Sequence, residues 1–166
     1  TVVKPRREWH MLDPDVLHWL MQCSPQNEFF ALLTSVRSII EPAVAALAAQ
    51  HATDEEVASI REAYERMENA PTPEALLQPD LDFHSRIADA THNDLLANLC
   101  NMLSLALREA LKHSNRRPNL HELALPRHKA ILTAIENHDA LGARHATLVQ
   151  LDDARTALDV VLGHSH

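Results

Sequence analysis

Residues 79–87 read Pro-Asp-Leu-Asp-Phe-His-Ser-Arg-Ile, a stretch that predicts a helix with a polar pair on its inner side. Asp80 and His84 are four residues apart, so an α-helix places the carboxylate and the imidazole on one face, one turn apart. The same stripe continues through Ile87 and Thr91, which predicts that this face points inward. A carboxylate and a histidine turned into a core require a partner, a metal or a ligand.

Helical spacing continues through the rest of the chain. The 166 residues include two glycines and one tyrosine and are 46% hydrophobic, a composition that favours helices over strands. Start signals and apolar stripes predict helices that begin near residues 13, 24, 53, 73, 94, 123 and 139. Pro42 predicts a kink, and Pro79 predicts a kink or a helix start. We therefore predict an all-α antiparallel bundle of six to seven helices, with the Leu-rich helix of residues 94–114 at its centre.

Charge and cysteine content exclude several classes of protein. The formal net charge is -8, which makes the chain a poor candidate for binding nucleic acid alone, apart from a basic cluster at Lys4, Arg6 and Arg7. Two cysteines, Cys23 and Cys100, are too few for a disulfide framework, which favours a cytoplasmic location. No apolar run is judged long enough to span a bilayer, so no association with a membrane is expected.

Polar residues interrupt the apolar stripes at four places. These are Asp80 with His84, then His128 at the head of an inward stripe, Arg37 between apolar turns, and Gln150 in the last helix. A carboxylate and two imidazoles on separate helices of a bundle form a mixed oxygen and nitrogen set that suits a metal. A guanidinium on an apolar face requires an anion.

These residues also allow simpler interpretations. Asp and His at a spacing of four are common in helices, and a single inward histidine is usually a hydrogen-bonded core residue. Arg37 could pair with Glu41, one turn later, at the helix surface. On periodicity alone, a helical bundle without a specific site stays the first interpretation.

Several segments, in their order along the chain, resemble one known family. They are Leu-Thr-Ser-Val-Arg-Ser-Ile-Ile-Glu-Pro at 33–42, Asp-Leu-Asp-Phe-His-Ser-Arg-Ile at 80–87, His-Asn-Asp-Leu-Leu at 92–96, and His-Lys-Ala-Ile-Leu-Thr-Ala-Ile at 128–135, followed by Asp139 and Ala143-Arg144. Together they resemble the C-terminal ligand-sensing (FCD) domain of GntR-family transcriptional regulators of the FadR subfamily. The lead-in at residues 9–17 resembles the galactonate-repressor branch of that family.

The resemblance implies a bacterial transcriptional regulator and not an enzyme. Residues 1–8 would be the end of a wing strand and linker from an N-terminal winged helix-turn-helix domain that is missing here. Residues 9–163 would be the helical domain that binds a small carboxylate effector and forms a homodimer, and residues 164–166 a tail. Operator DNA would be contacted only through the missing domain.

The resemblance also implies a divalent metal, most often zinc or nickel, held by one aspartate and three histidines. Carried over by position, Asp80, His84 and His128 match three of these ligands. The fourth position, in the last helix, holds Gln150 where the family has a histidine. An amide oxygen is a poorer zinc ligand than an imidazole, although water or an effector carboxylate would complete an open site.

The expected effector is a sugar acid such as an aldonate, or another small hydroxy acid. We expect Arg37 to receive its carboxylate, since a planar guanidinium suits bidentate binding. Asn93 and Arg108 are further candidates for effector binding, and no residue is assigned a catalytic role. Two alternatives remain. One is a metal-dependent hydrolase-type enzyme, although the chain has no His-Glu-x-x-His motif. The other is a plain dimerisation module without a ligand.

Overall fold

The computed structural model describes residues 5–112 and 121–162, and this part of the chain is helical without any strand. A short 3-10 turn, Arg6–Glu8, precedes seven α-helices. They are α1 (Pro14–Cys23), α2 (Gln26–His51), α3 (Asp54–Glu68), α4 (Pro73–Asp89), α5 (Asp94–Lys112), α6 (His121–Glu136) and α7 (Ala140–Leu162). The predicted all-α bundle, with six longer helices behind a short lead helix, is confirmed.

Side-chain caps explain why several helices begin where they do. Asp13, Thr53 and Thr72 each accept a backbone N–H from the first turn of the helix that follows. The Asp139 carboxylate accepts the backbone N–H of Gly142 at 2.8 Å, and a Cβ at Gly142 would collide with that carboxylate. Removing a cap of this kind typically costs about 1 kcal/mol of stability.

The central helix of the bundle is α2, which lies against α1, α4, α5, α6 and α7. The prediction that α5 is central was wrong, since α5 lies against α1, α2 and α4 and leaves Leu95 79% and Leu105 52% exposed. Leucines on several sides of α5 therefore indicate surface residues as well as core residues. Pro42 is inside α2 and Pro79 inside α4, so Pro79 does not begin a helix.

Two apolar clusters fill the bundle. The larger one includes residues from α2 to α7, and its most buried large side chains are Ile60, Met67, Phe83, Ile131, Leu132 and Ile135. The smaller one joins α1, α2 and α5 through Leu17, Leu20, Phe29, Phe30, Leu33 and Leu103. Full burial of such a side chain contributes about 1.5–3 kcal/mol. Five polar side chains of the described residues are buried in the bundle, namely Arg37, Glu41, Thr91, His128 and Thr147.

One segment of the described chain, Glu28–His51 within α2, is long and apolar enough to cross a membrane by length and composition. The prediction that no apolar run is long enough to span a bilayer was therefore wrong by length and composition. The most apolar window of this segment has a mean hydropathy of 1.5. The segment carries the buried ions Arg37 and Glu41, and five helices pack against α2. This is the arrangement of the core helix of a bundle.

The predicted domain boundaries lie at the two ends of the chain, where the structure describes only part of the residues concerned. Thr1 to Lys4, assigned above to the end of a wing strand, and the tail at 164–166 lie outside the described residues. Arg6–Glu8 forms a 3-10 turn, and Trp9 packs against the smaller apolar cluster.

Candidate functional site

Helices α4 and α6 bring three polar side chains to one point inside the bundle. The Nε2 atom of His128 lies 3.0 Å from Oδ1 of Asp80 and 3.1 Å from Nε2 of His84. One ligand atom from each residue lies within 4.8 Å of the other two. Among residues 5–112 and 121–162, this is the only group of three such side chains close enough to hold a metal ion.

The packing of Phe83 holds both imidazoles in place. The Phe83 ring is fully buried and meets the rings of His84 and His128 nearly edge-on, with centroids 5.6 and 5.3 Å away. His128 is 1% exposed, His84 is half-buried, and the Asp80 side chain is 33% exposed. The two rings therefore have little freedom to turn their nitrogens away from Asp80.

The electrostatics of this group favour the protonation states that a metal requires. Burial opposes the charge of Asp80, but the hydrogen bond and charge of His128, together with His84 and Arg37, lower the pKa of Asp80 to about 2. Burial lowers the pKa of His84, against the opposing charges of Asp80 and Glu41. At neutral pH the carboxylate is therefore anionic and the His84 imidazole neutral, as metal ligation requires.

The donor set fits a divalent metal. Ligand atoms about 2.0–2.1 Å from a tetrahedral zinc are roughly 3.3 Å apart. The distances of 3.0 and 3.1 Å to His128 Nε2 are close to this value. The Nε2 atom of His128 lies within hydrogen-bond distance of both an Asp80 oxygen and the Nε2 atom of His84. A proton on that nitrogen can be donated to only one of these two atoms at a time. A cation would satisfy all three donor atoms together.

Gln150 on α7 presents a buried acceptor. Its Oε1 atom has no hydrogen-bond partner within the described residues. The Nε atom of Arg108 is likewise buried without a partner there, although Arg108 Nη1 lies 3.5 Å from Oε1 of Gln78. A buried polar atom left unsatisfied costs about 1–3 kcal/mol, so both atoms are suited to a polar ligand.

Arg37 already has an anion beside it. Its guanidinium donates from Nε to Oε1 of Glu41 and from Nη2 to Oε2 of Glu41, and both side chains are buried. Burial opposes the charge of Arg37, but Glu41 and, at longer range, Asp80 keep its pKa raised. The pairing considered from sequence is thus present, but inside the bundle and not at a helix surface.

Asn93 is not part of this site. It is exposed, and its side-chain oxygen accepts the backbone N–H groups of Leu95 and Leu96 at 3.2 Å. Asn93 therefore caps the start of α5, and asparagine is one of the residues preferred at helix N-caps. The structure does not bring Asn93 to the three metal-ligand candidates or to the cavity lining, and effector binding by Asn93 stays a prediction.

A cavity of about 320 Å³, its opening to solvent included, lies against His84. Its lining residues come from five helices and are Glu41, Val44, Ala45, His84, Ile87, Cys100, Ser104, Ile131 and Thr147. No site role was predicted from the sequence for Glu41, Cys100, Ser104 or Thr147. A signal was available for two of them, since Cys100, Ser104 and Arg108 recur every four residues along α5.

Comparison with known proteins agrees with this architecture. The FCD domain family matches residues 32–153. The galactonate operon transcriptional repressor of Escherichia coli (strain K12) is 30% identical over 152 residues, which cover 90% of this chain and 66% of that protein. The putative L-lactate dehydrogenase operon regulatory protein of the same strain is 31% identical over 146 residues, covering 86% of this chain and 55% of that protein.

A solved structure titled Streptococcus agalactiae GntR shares the fold. It superposes with a TM-score of 0.71 at 21% identity and covers 81% of this chain and 61% of that one. The chain thus spans between about half and two thirds of the proteins it matches. Since the family match extends over most of the described bundle, the chain belongs to the FCD domain family of GntR-type transcriptional regulators.

Proposed function

We propose that this chain is the effector-sensing domain of a bacterial transcriptional regulator, and that a small hydroxy acid binds beside a divalent metal held by Asp80, His84 and His128. The observation that carries the proposal is the convergence of these three side chains, with ligand atoms within 4.8 Å of one another, at a point where one of them, His84, also lines a cavity. An ordinary structural ion pair would not require a second imidazole at the same point.

Zinc or nickel bound here would supply a positive centre for an oxygen of the effector. Asp80, His84 and His128 would hold it, and the unsatisfied Oε1 of Gln150 is the candidate for a fourth, weaker ligand. Because Gln150 would be a weak ligand, an oxygen of the effector could take its coordination position or add to it, as in other open metal sites.

The chain's own side chains determine which effector fits. The cavity combines apolar walls with the polar groups of Glu41, Ser104 and Thr147, which can exchange hydrogen bonds with hydroxyls. A small polyhydroxylated acid suits this lining better than a fatty acid or an aromatic compound.

The carboxylate of the effector would meet a cationic part of the interior. Arg37 carries a buried charge near Asp80, and Arg108 has a buried N–H without a partner in the described chain. Arg37 stays the first candidate for the carboxylate, with Glu41 as the internal anion that the effector must displace or share. Arg108 is the second.

The names of the relatives point to the same class of compound. One regulates the galactonate operon and another is a putative regulator of an L-lactate dehydrogenase operon. Galactonate and L-lactate are both hydroxy acids. We therefore propose an aldonate, or another small hydroxy acid, as the effector of this chain.

The proposal extends to how the signal is used. The chain would act in the cytoplasm as part of a homodimer, without catalysis and without contact to a membrane. An N-terminal domain, not included in this chain, would contact operator DNA. Effector binding would favour one placement of the two copies and so change the spacing of the two DNA-reading domains.

The test compares metal-stripped and zinc-loaded protein. We expect galactonate or L-lactate to raise the melting temperature and to give a binding isotherm with the loaded chain, and His84→Ala to abolish both effects. His145→Ala, an exposed histidine of α7, is the matched control. Absence of binding by any hydroxy acid to the loaded chain would contradict the proposal. Ester, lactone or phosphate hydrolysis that is abolished by His84→Ala would favour the enzyme alternative.

A further inference from the structure

The solvent-facing side of α2 lacks charged residues over most of its length. Between Glu28 and His51 the charged residues of α2 are Arg37 and Glu41, and both are buried and paired with each other. Its outer side instead exposes Ile39 by 74% and Leu32 by 38%. Charged residues make up 23% of this chain, so an exposed helix side without any charge requires an explanation.

The residues on that side follow the spacing of a helix–helix contact. Leu32, Ser35, Ile39, Ala43 and Ala46 are separated by three or four residues, as in a seam between packed helices. We name these five residues the α2 seam. Leu32, Ser35 and Ile39 are exposed, and Ala43 and Ala46 are partly exposed, so none of the five is fully covered within the chain.

The α2 seam is complementary to itself in an antiparallel arrangement. Leu32 and Ala46 each lie seven residues from Ile39, and Ser35 and Ala43 each lie four residues from it. Two antiparallel copies centred on Ile39 would therefore place Leu32 opposite Ala46 and Ser35 opposite Ala43, and the small residues on either side of the Ile39 pair would keep the helices close. Further out, Glu28 would face Gln50, a carboxylate opposite an amide donor, with no like charges facing each other.

We propose that the α2 seam is the surface on which a second copy of this chain packs, with two α2 helices antiparallel about a two-fold axis at Ile39. This goes beyond the homodimer proposed above by naming the face, and it does not depend on the metal or the effector. A two-fold interface uses the same patch on both copies, which is the property that the seam shows. It also explains why α2 has the composition of a membrane span although one side carries buried ions.

One helix pair does not supply the whole interface. A stable dimer buries roughly 1,200–2,000 Å² in total, more than two crossed helices provide. The helix α7 packs along α2 and exposes Leu141 by 80% and Leu148 by 39%. It is the element that would extend the contact beyond the α2 seam.

The first experiment measures the self-association of the 166-residue chain by sedimentation equilibrium. Ile39→Asp would place two carboxylates against each other at the axis and raise the dimer dissociation constant by about tenfold or more. Leu95→Asp, at a site on α5 that is 79% exposed, is the matched control and should leave the constant unchanged. Circular dichroism of both variants checks that the exposed substitutions leave the fold intact.

The second experiment tests the antiparallel register. In a Cys23→Ser background, Ile39→Cys should form a disulfide-linked dimer under mild oxidation, because a residue on the axis faces its own copy, whereas Leu95→Cys should not. Ala46→Leu should weaken the dimer, and adding Leu32→Ala should restore it. A chain that stays monomeric at high concentration would overturn the proposal. A dimer that Ile39→Asp leaves unchanged would overturn it too.

Discussion

The Nε2 atom of His128 on α6 lies 3.0 Å from the Oδ1 atom of Asp80 on α4. This contact ties two helices together inside the bundle and contributes to the low pKa of Asp80, about 2. Because His84 approaches the same nitrogen at 3.1 Å, the contact belongs to a group of three donors and not to a simple pair.

His128→Ala should remove the divalent metal. The substitution deletes the donor that lies between Asp80 and His84, so we expect zinc affinity to fall by about 100-fold or more. Elemental analysis and competition with a chromophoric chelator measure the change, with His145→Ala as the control on α7. Equal zinc content in the two variants would show that this group of residues does not hold metal.

Gln150→His should strengthen metal binding. An imidazole is a better zinc ligand than an amide oxygen, and the side chain at this position already turns an unsatisfied atom into the interior. We expect an affinity gain of at least about tenfold in the same competition assay. Gln150→Ala should lower the zinc affinity, by a smaller factor than the histidine variant raises it. If the histidine variant binds zinc no better than the native chain, residue 150 does not reach the metal.

Arg37→Met should destabilise the chain by about 3–5 kcal/mol, since it leaves the Glu41 carboxylate buried without its partner. Replacing both residues, as Arg37→Met with Glu41→Leu, should recover most of that loss, because no uncompensated charge remains. Urea unfolding of the two single variants and the double variant gives the coupling free energy between the Arg37 and Glu41 side chains. Additive losses would indicate that the two side chains do not stabilise each other.

Cys100 should react slowly with iodoacetamide. Burial raises the pKa of its thiol to about 11, so the reactive thiolate is scarce at pH 8 and increases as the pH approaches 11. Cys23 is exposed and serves as the internal control. Because Cys100 lines the cavity, a bound hydroxy acid should slow its alkylation further. Equal rates for the two cysteines at pH 8 would contradict the packing described for α5.

Local chemistry made much of the fold predictable from sequence. Caps at Asp13, Thr53 and Asp139 marked helix starts, and the structure shows each of them accepting backbone N–H groups. The helical stripes that contain Arg37 in α2 and His128 in α6 also point inward as expected. These features depend on neighbours within a few residues, so sequence periodicity is enough to reveal them.

Features that depend on contacts between distant segments were not predictable in the same way. The leucines on several sides of α5 predicted a central helix, but spacing alone does not show which side meets solvent, and Leu95 and Leu105 are exposed. The family resemblance made Asn93 a candidate for effector binding, whereas its side-chain oxygen caps α5 in the structure. The buried position of Glu41 beside the cavity depends on how five helices meet, which no local pattern contains.

A calorimetric titration of galactonate and L-lactate into zinc-loaded and metal-stripped chain measures whether effector binding depends on the metal. We expect saturable binding of at least one hydroxy acid to the loaded chain, and binding at least about tenfold weaker after the metal is removed. Binding of equal strength with and without metal, or no binding to the loaded chain, would contradict an effector site built on Asp80, His84 and His128.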